Sequence, residues 1–96
     1  MAAREVELDD LQFALISKAV AEPKRFEMLQ KIGASTLPPT CSCLGDCVDL
    51  SPATVSHHLK ELENAGLISI ERNGKFAHVS LRRDVWAAYL TRLSML

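Results

Sequence analysis

The chain is short of several things, and each absence removes a class of protein. No stretch reaches the roughly 18 consecutive apolar residues that a membrane-spanning helix needs, so no membrane partner is expected. The run Met1-Ala2-Ala3-Arg4-Glu5-Val6-Glu7 is charged and leads into no apolar segment. That is not the pattern of a secretory signal, and a cytoplasmic protein is expected. Neither sign of charge is in excess, since 11 Lys and Arg stand against 12 Asp and Glu for a formal net charge of −1. This excludes a histone-like or arginine-rich binder and leaves a local basic face open. Internal repeats and low-complexity tracts are absent. No Ser-His-Asp grouping, glycine-rich phosphate loop or pair of pocket carboxylates stands out, so an enzyme is not expected and no organic cofactor is implied. Cysteine is scarce as well, but all three, Cys41, Cys43 and Cys47, fall within seven positions. An odd cluster in a cytoplasmic chain points to metal binding or thiol chemistry rather than a disulfide framework.

What is present describes one folded domain over residues 1–96. The chain is 48% hydrophobic and 24% charged, an ordinary balance for a globular protein. So short a chain buries only about 60–65% of the surface its unfolded form exposes, which makes association with a second copy a reasonable expectation. Charge is unevenly spread: residues 1–50 hold five Lys/Arg and eight Asp/Glu, residues 51–96 six and four. The positive field therefore lies in the second half.

Asp9-Asp10 suits the start of a helix through Leu11, Phe13, Ala14, Leu15, Ile16, Ala19 and Val20, because acidic groups favour the positive end of the dipole. That helix is apolar on more than one face, as one meeting both a core and a partner would be. Pro23 opens a second helix with Arg25, Phe26, Met28, Leu29 and Ile32, and Gly33 is the expected stop. Leu37-Pro38-Pro39-Thr40 is expected to be extended, followed by a short helix from about Cys43 to Asp49. Ser51-Pro52 restarts a helix to about Ala65, with Val55, Leu59 and Leu62 on one face and Gly66 at its end. These two short helices, over residues 43–65, form a helix-turn-helix.

The period then changes. Leu67–Glu71 and Phe76–Leu81 read as two strands, with Arg72-Asn73-Gly74-Lys75 as a hairpin tip over a wing of residues 67–81. A last helix from about Arg83 carries Val85, Trp86, Tyr89, Leu90, Leu93 and Leu96. The fold class is mainly α with a β-hairpin wing, a winged helix-turn-helix. The helix after Ser51 turns Thr54, Ser56, His57 and Lys60 away from its apolar stripe. Ser51 and these side chains are candidate contacts to bases and phosphates in a major groove. Arg72 and Lys75 on the wing suit phosphate or minor-groove contact. His58, beside Leu59, is expected to be a buried hydrogen-bonding residue.

Three separated stretches carry a family resemblance: Ala21–Leu29, Leu50–Leu62 followed by Ala65-Gly66-Leu67-Ile68, and Arg72–Val79. In this order, and over roughly residues 9–93, the chain resembles the ArsR/SmtB family of metal- and metalloid-responsive repressors. The resemblance implies a homodimer held by the first and last helices (9–21 and 83–96) and a double-stranded operator as partner.

Cys43 and Cys47 are four apart, on one face of a helix, and Cys41 is expected to precede that helix and fold back. Three thiolates suit a soft ion. Trivalent arsenic or antimony accepts three sulfurs, whereas zinc prefers four ligands. The arsenic-responsive members that this stretch resembles carry Cys-x-Cys-x-x-Cys, and here the second gap is one residue longer. As(III) or Sb(III) at Cys41, Cys43 and Cys47 is the expected inducer. A redox or reactive-sulfur switch at the same cysteines, or a divalent ion such as cadmium or lead, stands as the alternative. From another class, a winged-helix protein-interaction module without DNA binding remains open. Residues 83–96 offer only Asp84 as a metal ligand, which argues against a zinc site between the last helices.

Overall fold

Capping side chains set most of the helix starts. In the computed structural model, which describes residues 6–96, α1 runs over Asp10–Val20, and the Asp9 carboxylate accepts from the Gln12 amide at 2.7 Å. Residues 1–5 and the side chain of Cys47, the third expected ligand, lie outside the described residues. Helix α2 spans Pro23–Ala34, with proline in its first turn and Glu22 as cap, accepting from the Arg25 amide at 2.6 Å. Helix α3 spans Cys41–Val48, capped by Thr40, and α4 spans Pro52–Asn64, capped by Ser51. Strands β1 (Ile68–Asn73) and β2 (Phe76–Leu81) form one antiparallel hairpin, and α5 (Arg83–Ser94) closes the order. The protein is mostly helical with a two-stranded wing, as the sequence pattern predicts.

Three local expectations are corrected. Gly33 does not stop α2: the helix continues to Ala34, and the Gly33 carbonyl accepts from Arg83 at 2.8 Å. A glycine ends a helix when the chain must turn left-handed, and Gly33 is not among the residues of positive φ. Cys41 does not precede α3 but begins it, because the Thr40 hydroxyl accepts from the Cys43 amide at 3.2 Å. The wing turns over Gly74-Lys75 alone, with Arg72 opposite Ala77 and Asn73 opposite Phe76 in the ladder. Gly74 has φ +64, so it takes the first central position of a two-residue hairpin, where positive φ is required. Arg72 therefore sits inside a strand rather than on the tip.

The core is one cluster fed by every helix. Ile16, Met28, Leu44, Leu62, Leu67, Val79 and Val85 are essentially fully buried. Helix α4 packs on α1, α2, α3 and β1, through Val55, Leu59, Leu62 and Ala65. The Pro39 carbonyl accepts from the Val79 amide at 2.9 Å, and Thr40 bridges to His78, so the segment before α3 lies along the outer edge of β2. Helix α5 returns to α1, where the Tyr89 and Ser17 hydroxyls meet at 2.9 Å and Arg92 lies 4.3 Å over the Phe13 ring.

At the end of α4 the chain reverses through Gly66, with φ +80 and room for a Cβ only 2.6 Å from the Gln12 amide nitrogen. The Gln12 side chain can move, but the left-handed backbone cannot be relieved. Gly66→Ala is expected to lower the unfolding free energy by about 1–2 kcal/mol, measured by urea denaturation.

Candidate nucleic-acid interface

The stripe that α4 buries decides what it presents. Val55, His58, Leu59 and Leu62 face inward, and Ser56, His57 and Lys60 are exposed, with Thr54 half-buried. At the helix start, the Ser51 hydroxyl accepts from the Thr54 amide at 3.3 Å and pairs with the Thr54 hydroxyl at 2.8 Å. Ser51 thus acts as a cap while remaining exposed, with its oxygen and that of Thr54 side by side.

Between α4 and the wing lies an open cleft of about 420 Å³. Ser56, Lys60 and Glu63 line it from α4; Arg72, Lys75 and Phe76 line it from the wing; Thr40, Cys41 and Ser42 form its end at the start of α3. The structure thus gathers four of the seven expected nucleic-acid contacts, Ser56, Lys60, Arg72 and Lys75, around one groove. Ser51, Thr54 and His57 are not in its lining and sit at and near the outer start of α4. Three cations against the single carboxylate of Glu63 make the groove cationic, and its width lies between a helix and a ribbon. Such a face suits a phosphate backbone, with the short hydroxyl and imidazole side chains at the start of α4 free for finer contacts.

Phe76 and Glu63 are among the lining residues that the sequence pattern did not single out. Phe76, 58% exposed, follows the turn directly, and a large apolar side chain in so exposed a hairpin position is its only sequence signal. Glu63 follows Ser56 and Lys60 at helical spacing, which places it on the same face.

The cysteines are arranged less simply than their spacing suggests. Cys41 is half-buried at the end of the cleft and Cys43 is exposed. With both in α3, they stand roughly 200° apart around the axis, so their sulfurs leave on different sides. Burial pushes the Cys41 thiol above its ordinary pKa, and the nearby Arg72 guanidinium offsets only part of this. Among the described residues no three His, Cys, Asp or Glu side chains stand together as a metal site. The side chain of Cys47 is not one of these, so the three-cysteine expectation is left as it was.

His58 is buried, as expected, but its partners come from α2. The Arg25 Nε donates to His58 Nδ1 at 3.4 Å, and Glu22 Oε2 lies 3.7 Å from His58 Nε2. The signal for Arg25 was its spacing with Met28, Leu29 and Ile32, which puts it on the buried stripe of α2.

Comparison with known proteins agrees with this geometry. Residues 20–71 match the family model described as a helix-turn-helix domain. The chain is 30% identical over 82 residues to YceK of Bacillus subtilis (strain 168), an uncharacterized HTH-type transcriptional regulator, covering 85% of this chain and 82% of that protein. It is 30% identical over 70 residues to the transcriptional repressor SdpR of the same organism, covering 73% and 76%. Among solved structures, the homodimeric winged helix-turn-helix DNA-binding domain Mb0332 from Mycobacterium bovis, a possible ArsR-family regulator, superposes with a TM-score of 0.72. The identity is 19%, covering 99% of this chain and 90% of that one, so this likeness bears on the fold. No described helix is long and apolar enough to cross a membrane.

Ser51→Ala removes the oxygen that caps α4. Stability is expected to fall by about 1 kcal/mol, seen as an earlier midpoint in chemical denaturation with the slope unchanged.

Proposed function

The chain belongs to the helix-turn-helix family of transcriptional regulators, and on that premise we propose a repressor that binds operator DNA as a homodimer and leaves it when Cys41, Cys43 and Cys47 bind trivalent arsenic or antimony. The observation that carries the DNA reading is the cleft between α4 and the wing, where Lys60, Arg72 and Lys75 converge beside the exposed Ser56. Phosphates seated along it would hold the start of α4 against base edges, where Ser51, Thr54 and His57 lie. Repression is supported by the likeness to SdpR.

The homodimer rests on surface chemistry. Leu11 and Leu15 on α1, and Leu90 and Leu93 on α5, remain exposed although the two helices pack together. Covering such apolar surface is the ordinary reason for association in so small a chain. The solved relative Mb0332 is a homodimer.

The inducer rests on the chemistry of three soft donors in one short segment. An ion of this class supplies a demand for three sulfurs. With Cys41 and Cys43 on different sides of α3, bringing their sulfurs together requires the Thr40 cap and the first turn to open. That turn does not stand alone. Leu44 and Val48 of α3 are buried in the core, and Gly45 lets Val55 of α4 approach so closely that a Cβ there would stand 3.4 Å from it. Opening α3 therefore disturbs the support of α4, and Thr40, bridged to His78, moves with the edge of the wing.

Fluorescence anisotropy on a labelled duplex from the DNA upstream of the gene tests the interface. Arg72→Gln or Lys75→Gln is expected to weaken all duplexes alike and to lower the slope of log K against log salt by about 0.9 per lost phosphate contact. Thr54→Ala or His57→Ala should instead change which duplex is preferred, and wild-type binding that is flat with salt would remove the DNA reading. Cys41→Ser, Cys43→Ser and Cys47→Ser should each bind the duplex normally but no longer release it with arsenite. In the wild type that release should weaken affinity by about 5- to 150-fold, the ordinary range for coupled sites. Loss of duplex binding in all three variants would assign the cysteines to packing.

A further inference from the structure

A polar tie joins three helices behind the reading face, and neither the DNA contacts nor the cysteines use it. Arg25 and His58 are only 9% and 8% exposed. The Arg25 side chain donates through Nη1 to the Ala19 carbonyl at the end of α1, at 3.4 Å, and through Nε to His58 Nδ1 on α4. Glu22 caps α2 through the Arg25 amide and turns Oε2 toward His58 Nε2 at 3.7 Å. One arginine thus holds the end of α1 and the middle of α4, and Glu22 backs the other edge of the imidazole.

This arrangement specifies a protonation state. Arg25 has only donors to offer, so His58 Nδ1 must be an acceptor and the imidazole is neutral with its proton on Nε2. A second proton on Nδ1 would set donor against donor and place two cations 3.4 Å apart. The adjacent His57, its ring centroid 5.9 Å from that of His58, adds repulsion when charged, and Glu22 alone favours the charged form. We propose that Arg25, His58 and Glu22 form a lock that positions the reading helix, closed by the neutral imidazole and opened by its protonation, so that duplex binding weakens on acidification. The inference rests on α4 being the helix that reads DNA.

The balance of forces agrees in sign. Burial first, then Arg25 and His57 against the opposing pull of Glu22, holds the His58 pKa below the ordinary 6.5. As pH falls, the unfolded chain takes up this proton before the folded one. The closed lock therefore contributes fully above the ordinary imidazole pKa, and its contribution is lost as pH falls from there through the folded value. His58 is a positioning residue: it acts through α4, not on the duplex.

The test titrates the full chain onto the labelled upstream duplex at constant ionic strength from about pH 8 to about pH 5, the span in which imidazoles change charge. His58→Asn keeps an acceptor oxygen close to the Nδ1 position for Arg25 and carries no titrating proton. Wild-type affinity is expected to fall at least about five-fold more than that of His58→Asn across this range, the low end of an ordinary coupling between sites. His57 and His78 are retained in the variant, so the comparison isolates the change at position 58. Equal profiles overturn the lock. A second measurement needs neither the variant nor the duplex: NMR titration of the wild-type chain should give a His58 midpoint below 6.5, with α4 amides shifting at that same midpoint. A midpoint at or above the ordinary value, or α4 amides that do not follow it, overturns the lock. Absence of duplex binding at every pH would count against the repressor reading, while the NMR result would still decide the lock.

Discussion

The seam along which α4 buries Val55, Leu59, Leu62 and Ala65 carries the rest of the molecule, because everything α4 shows to solvent is placed by what it hides. Each of the larger side chains contributes about 1.5–3 kcal/mol by leaving water. The seam meets α1, α2, α3 and β1, so a shift of α4 would have to disturb four neighbours at once. Its Ser51 cap determines where the helix begins and Gly66 where it ends, and between them the exposed residues keep a constant aspect toward the wing.

Apolar burial holds α4 strongly but without much sense of direction, since its strength follows the area removed from water and not the angle of any one contact. The Arg25–His58 contact supplies the directional element, because a hydrogen bond from a planar guanidinium to a ring nitrogen is satisfied over a narrow range of positions. The two kinds of interaction divide the work: the seam makes α4 stay, and the polar tie sets its register against α2. Leaving either buried group without its partner is costly, which makes this small network a sharp determinant of one arrangement.

Much of this was legible in the chain. Ser51-Pro52 and Gly66 bracket α4 by known cap chemistry, and the change from helical to alternating period marks the wing. The burial of His58 followed from its place beside Leu59. What escaped was decided by partners distant in sequence or by competition between neighbours. Thr40 captured the start of α3 two residues ahead of the expected point, and that placed Cys41 inside the helix. Gly33 read as a terminator, but its carbonyl is held by Arg83, fifty residues away. The Asn73-Gly74 pair correctly signalled a hairpin, yet the glycine took the first turn position and drew Asn73 into the strand. The spacing of Arg25 placed it with the apolar residues of α2, but its acceptors, Ala19 and His58, are set only by tertiary packing. The convergence of Lys60, Arg72 and Lys75 on one cleft likewise required the hairpin to be folded back beside α4.

The placement of Pro39 against β2 has a consequence for how copies of this protein coexist. A two-stranded ribbon normally leaves two edges able to recruit a neighbour's strand, which is a route to aggregation. Here the outer edge of β2 is occupied at Val79 by the Pro39 carbonyl and at His78 by Thr40. Pro38 and Pro39 have no amide protons, so the covering segment cannot itself serve as the next full strand. The other edge belongs to β1, whose outward half carries Glu71, Arg72 and Asn73, all exposed, and charge along an edge discourages pairing with a like edge. A ribbon built to project into solvent is thereby kept from zipping onto its own kind, and copies of the chain can crowd together without their wings nucleating a sheet.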